Sequence, residues 1–543
     1  MSYGRTPLFG KLIQVLRQAH WLNRHPHQRS FFFEAQEAVG ISRRDFVRML
    51  GAAGLSVASG GLSACALRTT GSSIRGTLGG EPVAVLGGGV SGLTAAYHLM
   101  RAGIPCEIFE ASNRLGGRMF TRNDFNQEGM FCELGGELVD TNHDDLIALA
   151  NELHVGIQEL KAPDRGVDLY FFAGRHYSDG ELIPFFRPFA GKLAEDQKGI
   201  YDAAENFTEK ARKFDRMNLA EYLAKTGHNV ERWVVDMLRV AYTIEYGRSV
   251  DDQSALNLIT LLEADTTNGF KLFGKSDESK RIKRGSSSLT SALARAIERK
   301  VKINQGFRLV GVRQSGSQLA LSFSTSGSTK SLKFARTICT LPFTMLREVD
   351  GIKALGLSQE KQRAIAELGY GDNTKVMSGF TERWWRHPGL LPLSVTSNGS
   401  VFTDLSFQCT WETSRGQRGK SGILTNYLGG PTARNLARDH FSRFKEGLGR
   451  VFPGIGDKFD GNRATMNWSE YKYTRGSYTC PLAGQYTTLL QSTGRTELGG
   501  RLLFAGEHTS PDFSGFMNGA VESGIRAARE IIESRKRTLP KAA

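Results

Sequence analysis

The stretch Pro82-Val83-Ala84-Val85-Leu86-Gly87-Gly88-Gly89-Val90-Ser91-Gly92 decides how this 543-residue chain is read. Its first half is an unbroken apolar run, the pattern of a parallel strand buried on both faces. A G-x-G-x-x-G turn follows, and then Leu93, Ala96, Tyr97, Leu99 and Met100 recur at helical spacing until Gly103. A second apolar run, 106–109, ends in Glu110, about 20 residues beyond the turn. Glycine-rich turns are common by themselves. A strand before, a helix after and an acidic residue at that spacing point to a dinucleotide site. Gly87 permits the tight turn, Gly89 lets the backbone approach a pyrophosphate, and Gly92 lets the helix lie close on the strand. The free N–H groups at the helix start, around Val90 and Ser91, and the positive end of the helix dipole suit the phosphates. Glu110 is placed to accept from ribose hydroxyls, and a carboxylate there argues against a 2′-phosphate. The predicted fold class is α/β.

More segments join this one. Arg114-Leu115-Gly116-Gly117-Arg118 lies just past Glu110, and Leu134-Gly135-Gly136-Glu137 follows another strand-like run. Far downstream, Leu502-Leu503-Phe504-Ala505-Gly506-Glu507-His508-Thr509 reads as a strand ending in an acidic residue. Ser514-Gly515-Phe516-Met517-Asn518-Gly519-Ala520-Val521-Glu522-Ser523-Gly524 then opens a helix running to about Ser534. Together these segments resemble the flavin amine oxidase family of FAD-dependent monoamine, polyamine and L-amino-acid oxidases, and the resemblance covers about residues 81–535.

The resemblance implies a Rossmann-like FAD-binding domain plus a mixed sheet and helical substrate-binding domain. It places Ala111, Arg114, Gly117 and Arg118 in the cofactor site, the arginines on FAD phosphate and ribityl groups. Leu134, Gly135, Gly136 and Glu137 would lie against the isoalloxazine ring. Gly506 and Glu507 would take the ribityl or diphosphate portion, while Gly515, Phe516 and Met517 reach the flavin, Met517 offering its backbone N–H to the pyrimidine. A helix start aimed there makes physical sense, because that edge of the ring turns negative on accepting hydride. Segments roughly 400 residues apart would thus build one site.

The same resemblance supplies candidate catalytic residues. Asn467-Trp468-Ser469-Glu470 and Gly476-Ser477-Tyr478-Thr479 are similar to the segment that places Trp468 beside the flavin and makes Tyr478 one wall of an aromatic cage, with Phe516 as the other. Two facing rings form a slot that excludes water and aligns an amine's α-C–H. Read without the family, Tyr478 and Phe516 are simply aromatics at strand or helix-start positions. Lys375, in Gly371-Asp372-Asn373-Thr374-Lys375-Val376, matches a lysine that holds a water against flavin N5. Such a lysine needs a buried partner if it lies inside, since a bare buried ammonium is costly; the alternative is a solvated surface lysine. Ser477 stands where some relatives carry a cysteine bonded to the flavin, and Cys480 is out of register, so the FAD is expected to be non-covalent. Leu138 and Asp140 follow the flavin loop. Asp140 reads equally as an anchor for a distal ammonium and as a helix N-cap.

Segments between the two ends set the expected boundaries. Residues 283–289 open a helix, a strand near 301–310 brings backbone around Phe307 to the adenine in relatives, and 337–342 look like a strand and turn returning to the FAD domain. The expected division is 81–155 with 281–320 and 460–535 for the FAD-binding domain, 156–280 with 321–459 for the substrate-binding domain, and 536–543 as a tail. The insert 156–280 reads as mostly helical and would roof the active site.

The net charge of +15 is uneven: residues 1–80 hold ten arginines and lysines against three acidic residues. The rest of the excess is spread without basic runs or aromatic interleaving, so no nucleic-acid partner is expected. Ser42-Arg43-Arg44-Asp45-Phe46-Val47-Arg48 and the small, weakly apolar run 49–62 resemble a twin-arginine export signal. Leu62-Ser63-Ala64-Cys65 resembles a lipobox, implying a lipid anchor at Cys65. Residues 1–65 are therefore expected to engage the twin-arginine export machinery and deliver a periplasmic, membrane-anchored protein, with 66–80 as a flexible linker. An ordinary N-terminal helix with an arginine pair is the alternative. The six cysteines show no C-x-x-C and no histidine pairing, so neither a disulfide framework nor a metal site is expected.

The expected reaction is oxidation of a small-molecule amine to an imine on FAD, with O2 reduced to H2O2. An L-amino-acid oxidase on the same flavin site is the first alternative. A flavin dehydrogenase with another acceptor and a non-catalytic carrier of the same fold are the others.

Overall fold

Val83–Leu86 (β1), Val90–Arg101 (α1) and Cys106–Glu110 (β2) follow one another as the sequence predicts, in a computed structural model that describes residues 80–161, 164–267 and 269–538. The export signal expected over 1–65, the linker up to residue 79 and the tail beyond 538 lie outside the described residues. All four positions of β1 are buried. α1 ends at Arg101, two residues ahead of Gly103, whose φ of +73° turns the chain into β2.

The chain then runs through Val167–Phe172 (β3) and Arg175–Ser178 (β4) into four helices, Asp179–Gln197 (α2), Glu209–Arg216 (α3), Leu219–Thr226 (α4) and Arg232–Tyr246 (α5). Ser287–Ile297 (α6) precedes Lys302–Gln305 (β5), and Arg308–Ser315 (β6), Gln318–Thr325 (β7) and Ser328–Phe334 (β8) form an antiparallel meander. Arg336–Cys339 (β9), Asn373–Phe380 (β10), Ser397–Thr403 (β11), Cys409–Glu412 (β12), Gly422–Gly429 (β13), Phe459–Asn467 (β14) and Leu502–Phe504 (β15) lead to the long helix Met517–Thr538 (α7).

Two sheets position the site. Among the described residues, β5-β2-β1-β9-β15 make a five-stranded sheet in which every neighbouring pair is parallel. Alternate residues face opposite layers. Val83, Val85, Ile108, Ile338 and Leu503 pack with α1, α6 and α7, whereas Ala84, Leu86, Phe109, Cys339 and Phe504 pack with the β6–β8 meander. The second sheet has the order β14-β10-β13-β12-β11-β3-β4 and is antiparallel except for the β11–β3 pair. The strand next to its edge, β10, is buried at all eight positions, Lys375 included. Helices α2–α5 bury Phe186, Phe189, Trp233 and Tyr242 against Tyr170 and Phe172 of β3.

Three expectations meet a different outcome. The single strand expected near 301–310 is two strands in two sheets, because Gly306, at φ +74°, turns the chain between β5 and β6. β7 crosses the expected 320/321 boundary, and β9, inside the 321–459 segment, lies next to β1 in the parallel sheet. β14, assigned with 460–535, is an edge strand of the seven-stranded sheet. Sheet membership follows from long-range pairing, which local apolar pattern does not reveal.

Candidate active site

A cavity of about 570 Å³ runs from the β1–α1 turn to the inner face of the seven-stranded sheet. At the first end Gly87 has φ +105°, and a Cβ there would stand 2.4 Å from Thr340 Oγ1. Gly92 does not line the cavity; a Cβ on it would lie 2.0 Å from Gly87 O, so only glycine lets α1 approach β1 this closely. Leu93 N closes the first helical bond onto Gly89 O at 3.0 Å, leaving the N–H groups of Val90 and Ser91 without a partner in their own helix. No acidic side chain sits in that turn to compete for an anion. Glu110 is clamped by two backbone amides, Gly88 N at 2.7 Å and Ser112 N at 2.8 Å, and lines the same end. Phe307 also lines it. Its amide is taken by Glu110 O at 2.9 Å, so its carbonyl and ring are what it can offer a ligand.

The middle of the cavity joins the two ends of the sequence. Arg118 Nη1 donates to Glu507 Oε1 at 2.8 Å and to Ser477 O at 2.6 Å, and Gly515 N donates to Glu507 Oε2 at 2.8 Å. Burial raises the Glu507 carboxyl, but the Arg118 guanidinium overcomes it and holds the carboxyl below its ordinary value. Arg114 lies over the Phe120 ring at 3.9 Å and bonds the Gly117 carbonyl. Met517 opens α7, so its N–H has no partner in its own helix. Gly135 and Gly136 leave a shallow cradle. A Cβ on the first would meet Arg118 O at 1.9 Å, and on the second Met517 Sδ at 2.8 Å. Leu134, expected with this loop, does not line the cavity. Its side chain joins the apolar cluster of Phe125, Met130 and Met377, and its carbonyl accepts from Trp468 Nε1 at 2.9 Å.

Three lining residues here, Arg114, Thr479 and Ser514, carry buried polar atoms without a protein partner. Native interiors satisfy such atoms, so these call for a ligand's acceptors and donors. With the glycine cradle and the free amides of α1 and α7, the residues present fit a long, phosphate-bearing, flat-ringed group.

At the far end Lys375, Trp468, Tyr478 and Phe516 line one space, as the resemblance implies. Lys375 has its buried partner: Nζ lies 3.0 Å from Glu137 Oε2, 2.8 Å from Gly135 O and 3.3 Å from Glu133 O. Glu137 therefore faces the lysine. Tyr478 donates to the Glu245 carbonyl and shares a 2.9 Å hydrogen bond with Tyr427, so its phenol cannot swing. Burial pushes the Tyr478 phenol well up, which keeps it neutral. Phe516 meets His143 edge-on at 5.3 Å. Asp140 is no N-cap: the helix Asp144–Glu152 has His143 at that position, and Asp140 Oδ1 accepts from Glu278 N at 2.8 Å. Leu138 and Asp140 both line the cavity, whereas Cys480 is buried away from it.

Sequence reasoning missed four residues here, Tyr427, Trp411, Glu245 and Glu278. They come from β13, β12, the end of α5 and a loop, and no contiguous motif joins them. Desolvation pushes the Glu245 carboxyl up to about 8 and the Glu278 carboxyl up to about 7, with Asp140 repelling both.

The chain belongs to the family of flavin-containing amine oxidoreductases, whose sequence profile it matches over residues 90–532. It is 25% identical over 480 residues to a flavin-containing amine oxidase of Oncorhynchus mykiss, covering 83% of this chain and 85% of that one. With an L-amino-acid oxidase of Vipera ammodytes ammodytes it shares 26% over 475 residues, 83% of this chain and 92% of the relative. Its fold is similar to that of cyclohexylamine oxidase from Brevibacterium oxydans, with a TM-score of 0.72 at 20% identity over 84% of this chain and all of the other.

Proposed function

We propose that the chain oxidises an amine lacking an α-carboxylate, using non-covalently held FAD and passing the electrons to O2. One observation favours an amine over an amino acid. Among the described residues lining the cavity, the arginines are Arg114, Arg118 and Arg308; Arg118 is already engaged by Glu507 and the Ser477 carbonyl and Arg114 by the Gly117 carbonyl, while the wall also carries Glu245, Glu278 and Asp140. A substrate carboxylate wants a bidentate cationic clamp, and these carboxyl groups, two of them raised to about 8 and about 7, offer none and repel it as they ionise. They would welcome a second ammonium.

When bound, FAD supplies the acceptor for the two electrons and hydrogen leaving the substrate's α-carbon. The protein's part is positional. The α1 amides and Arg114 would hold the phosphates, Glu110 the ribose, Glu507 with Arg118 the ribityl chain, and the Met517 N–H the pyrimidine edge. Tyr478, braced by Tyr427, and Phe516 flank the amine and exclude water. The non-covalent reading is supported by Ser477, whose hydroxyl donates to Asn373 Oδ1 at 2.6 Å, and by the burial of Cys480 outside the cavity. Residues 81–155, 281–320 and 460–535, with β9 added and β14 given to the seven-stranded sheet, would form the FAD-binding domain. The twin-arginine signal, the anchor at Cys65 and a periplasmic location belong to the same proposal and rest on sequence pattern alone. The test is anaerobic mixing of the yellow protein with pairs of amines and their α-carboxylated counterparts. The amine of each pair should bleach the flavin faster, and faster bleaching by the amino acids would overturn the reading.

A further inference from the structure

We infer that Asn373 is a positioning residue for the cage: its single buried amide fixes the three segments that carry Tyr478, Tyr427 and Glu245. The inference rests on the flavin reading above and concerns how the cage is held. Asn373 opens β10, is 0% exposed and does not line the cavity, so it acts only through its partners. Its Nδ2 donates to Ile244 O at 2.8 Å and to Leu428 O at 3.3 Å, and its Oδ1 accepts from Ser477 Oγ at 2.6 Å. Each partner is the chain neighbour of a group that holds the cage wall. Ile244 precedes Glu245, whose carbonyl takes the Tyr478 hydroxyl. Leu428 follows Tyr427, which shares a bond with the same hydroxyl, and Ser477 precedes Tyr478 itself. One amide thus repeats, a residue away, the contacts that fix the phenol.

The surroundings are shaped for this group. Ile244 and Glu245 lie in the last turn of α5, where carbonyls have no partner further along the helix. Asn373 and Tyr478 supply donors to these two adjacent carbonyls. Gly247 ends the helix at φ +65°, and a Cβ there would stand 2.2 Å from Asn373 Oδ1. A Cβ on Gly371 would stand 2.7 Å from Ser477 Oγ and 3.0 Å from the same Oδ1. Two glycines therefore leave the room that the amide and the serine hydroxyl fill. Backbone bonds run alongside: Ser477 N donates to Gly371 O and Gly371 N to Tyr478 O, both at 2.8 Å, and Trp468 N donates to Asn373 O at 3.2 Å. An amide suits the task, because it offers two donors and an acceptor in one plane without a charge. Since Glu245 also lines the cavity, the same latch sets where that residue stands relative to the cage.

The test is a double-mutant cycle on the limiting rate of flavin reduction by a saturating monoamine, measured without oxygen. Asn373→Asp keeps the shape and the acceptor for Ser477, but a carboxyl offers at most one proton, so a carbonyl goes unserved. It should slow reduction by roughly tenfold, with the ratio of flavin to protein unchanged. Tyr478→Phe removes the hydroxyl through which the latch reaches the ring. In that background Asn373→Asp should slow reduction by no more than about threefold, because the two changes break one network. A residue that merely supports the fold would cost the same factor in both backgrounds. That equality, or a wild-type rate in Asn373→Asp, overturns the inference. Should Asn373→Asp lose its flavin, Ser477→Ala, which breaks one of the three bonds, takes its place in the cycle, and an equal loss in both backgrounds, or none, again overturns it. Wild-type protein whose flavin no amine bleaches would instead sink the flavin reading itself.

Discussion

Arg118 and Glu507 lie 389 residues apart in the chain and 2.8 Å apart in the fold, with Glu507 only 4% exposed. This contact ties the loop after β2 to the segment after β15, and both residues line the cavity.

Arg118→Met should therefore damage folding and flavin retention together. It leaves a buried carboxylate unpaired, at a cost of about 3–5 kcal/mol. Glu507→Gln removes the charge, and its single amide oxygen can keep the bond from Arg118 or from Gly515 but not both, so it should also weaken flavin retention. Thermal melts and the ratio of flavin to protein absorbance after gel filtration measure both.

Tyr427→Phe removes the 2.9 Å bond that braces Tyr478 but leaves the ring. The expected loss is about 0.5–1.5 kcal/mol, roughly two- to tenfold in the rate of flavin reduction, with flavin content unchanged. A stopped-flow trace under nitrogen reads it. An unchanged rate would mean that the Glu245 carbonyl alone holds the phenol.

Glu245 and Glu278, raised to about 8 and about 7, are largely protonated in mildly acidic buffer and ionise as the pH rises. Recognition of a second ammonium should strengthen accordingly. The kcat/KM for a diamine, relative to the monoamine of equal length, should climb from about pH 6 to about pH 9, because kcat/KM reports the free enzyme's ionisations. Glu245→Gln should lower the diamine value by roughly tenfold or more, while the monoamine changes little. Equal effects on both would remove the carboxylates from substrate recognition.

His508 is 1% exposed, packs edge-on to Phe343 at 4.5 Å, and is pushed down to about 3 by burial. Between about 6.5 and 3 the unfolded chain binds the proton and the folded one does not, so stability falls as the pH drops through that window. His508→Gln lacks this titration. Between pH 7 and pH 4 the variant should gain on the order of 3 kcal/mol relative to wild type, visible as converging or crossing Tm values. Glu133, Glu245 and Glu278 act with the opposite sign, being raised, but they act in both proteins and cancel in the comparison.

Much of the site was legible in the chain, for a local reason. Gly87, Gly89 and Gly92 sit within one turn, where sterics and the helix start dictate the residue types, and Gly506–Met517 is a similar short signature. Every residue expected in the site lines the cavity except Gly92 and Leu134, which act through backbone packing and a carbonyl. Asp140 stood between two readings, and the start of the following helix at Asp144 removed the capping one.

Sequence by itself determined that a strand, a glycine turn and a helix follow one another at one end of the cavity, and that a matching segment waits near the C-terminus, since each depends only on neighbouring residues. Only the tertiary structure decided what Lys375 touches, that Tyr427 braces Tyr478, and that Glu245 and Glu278 share the cage end of the cavity. Those contacts join β10, β13, β12, the end of α5 and two loops. Their alignment depends on strand register and on where helices dock, and a one-residue slip would send each strand's side chains to the other face.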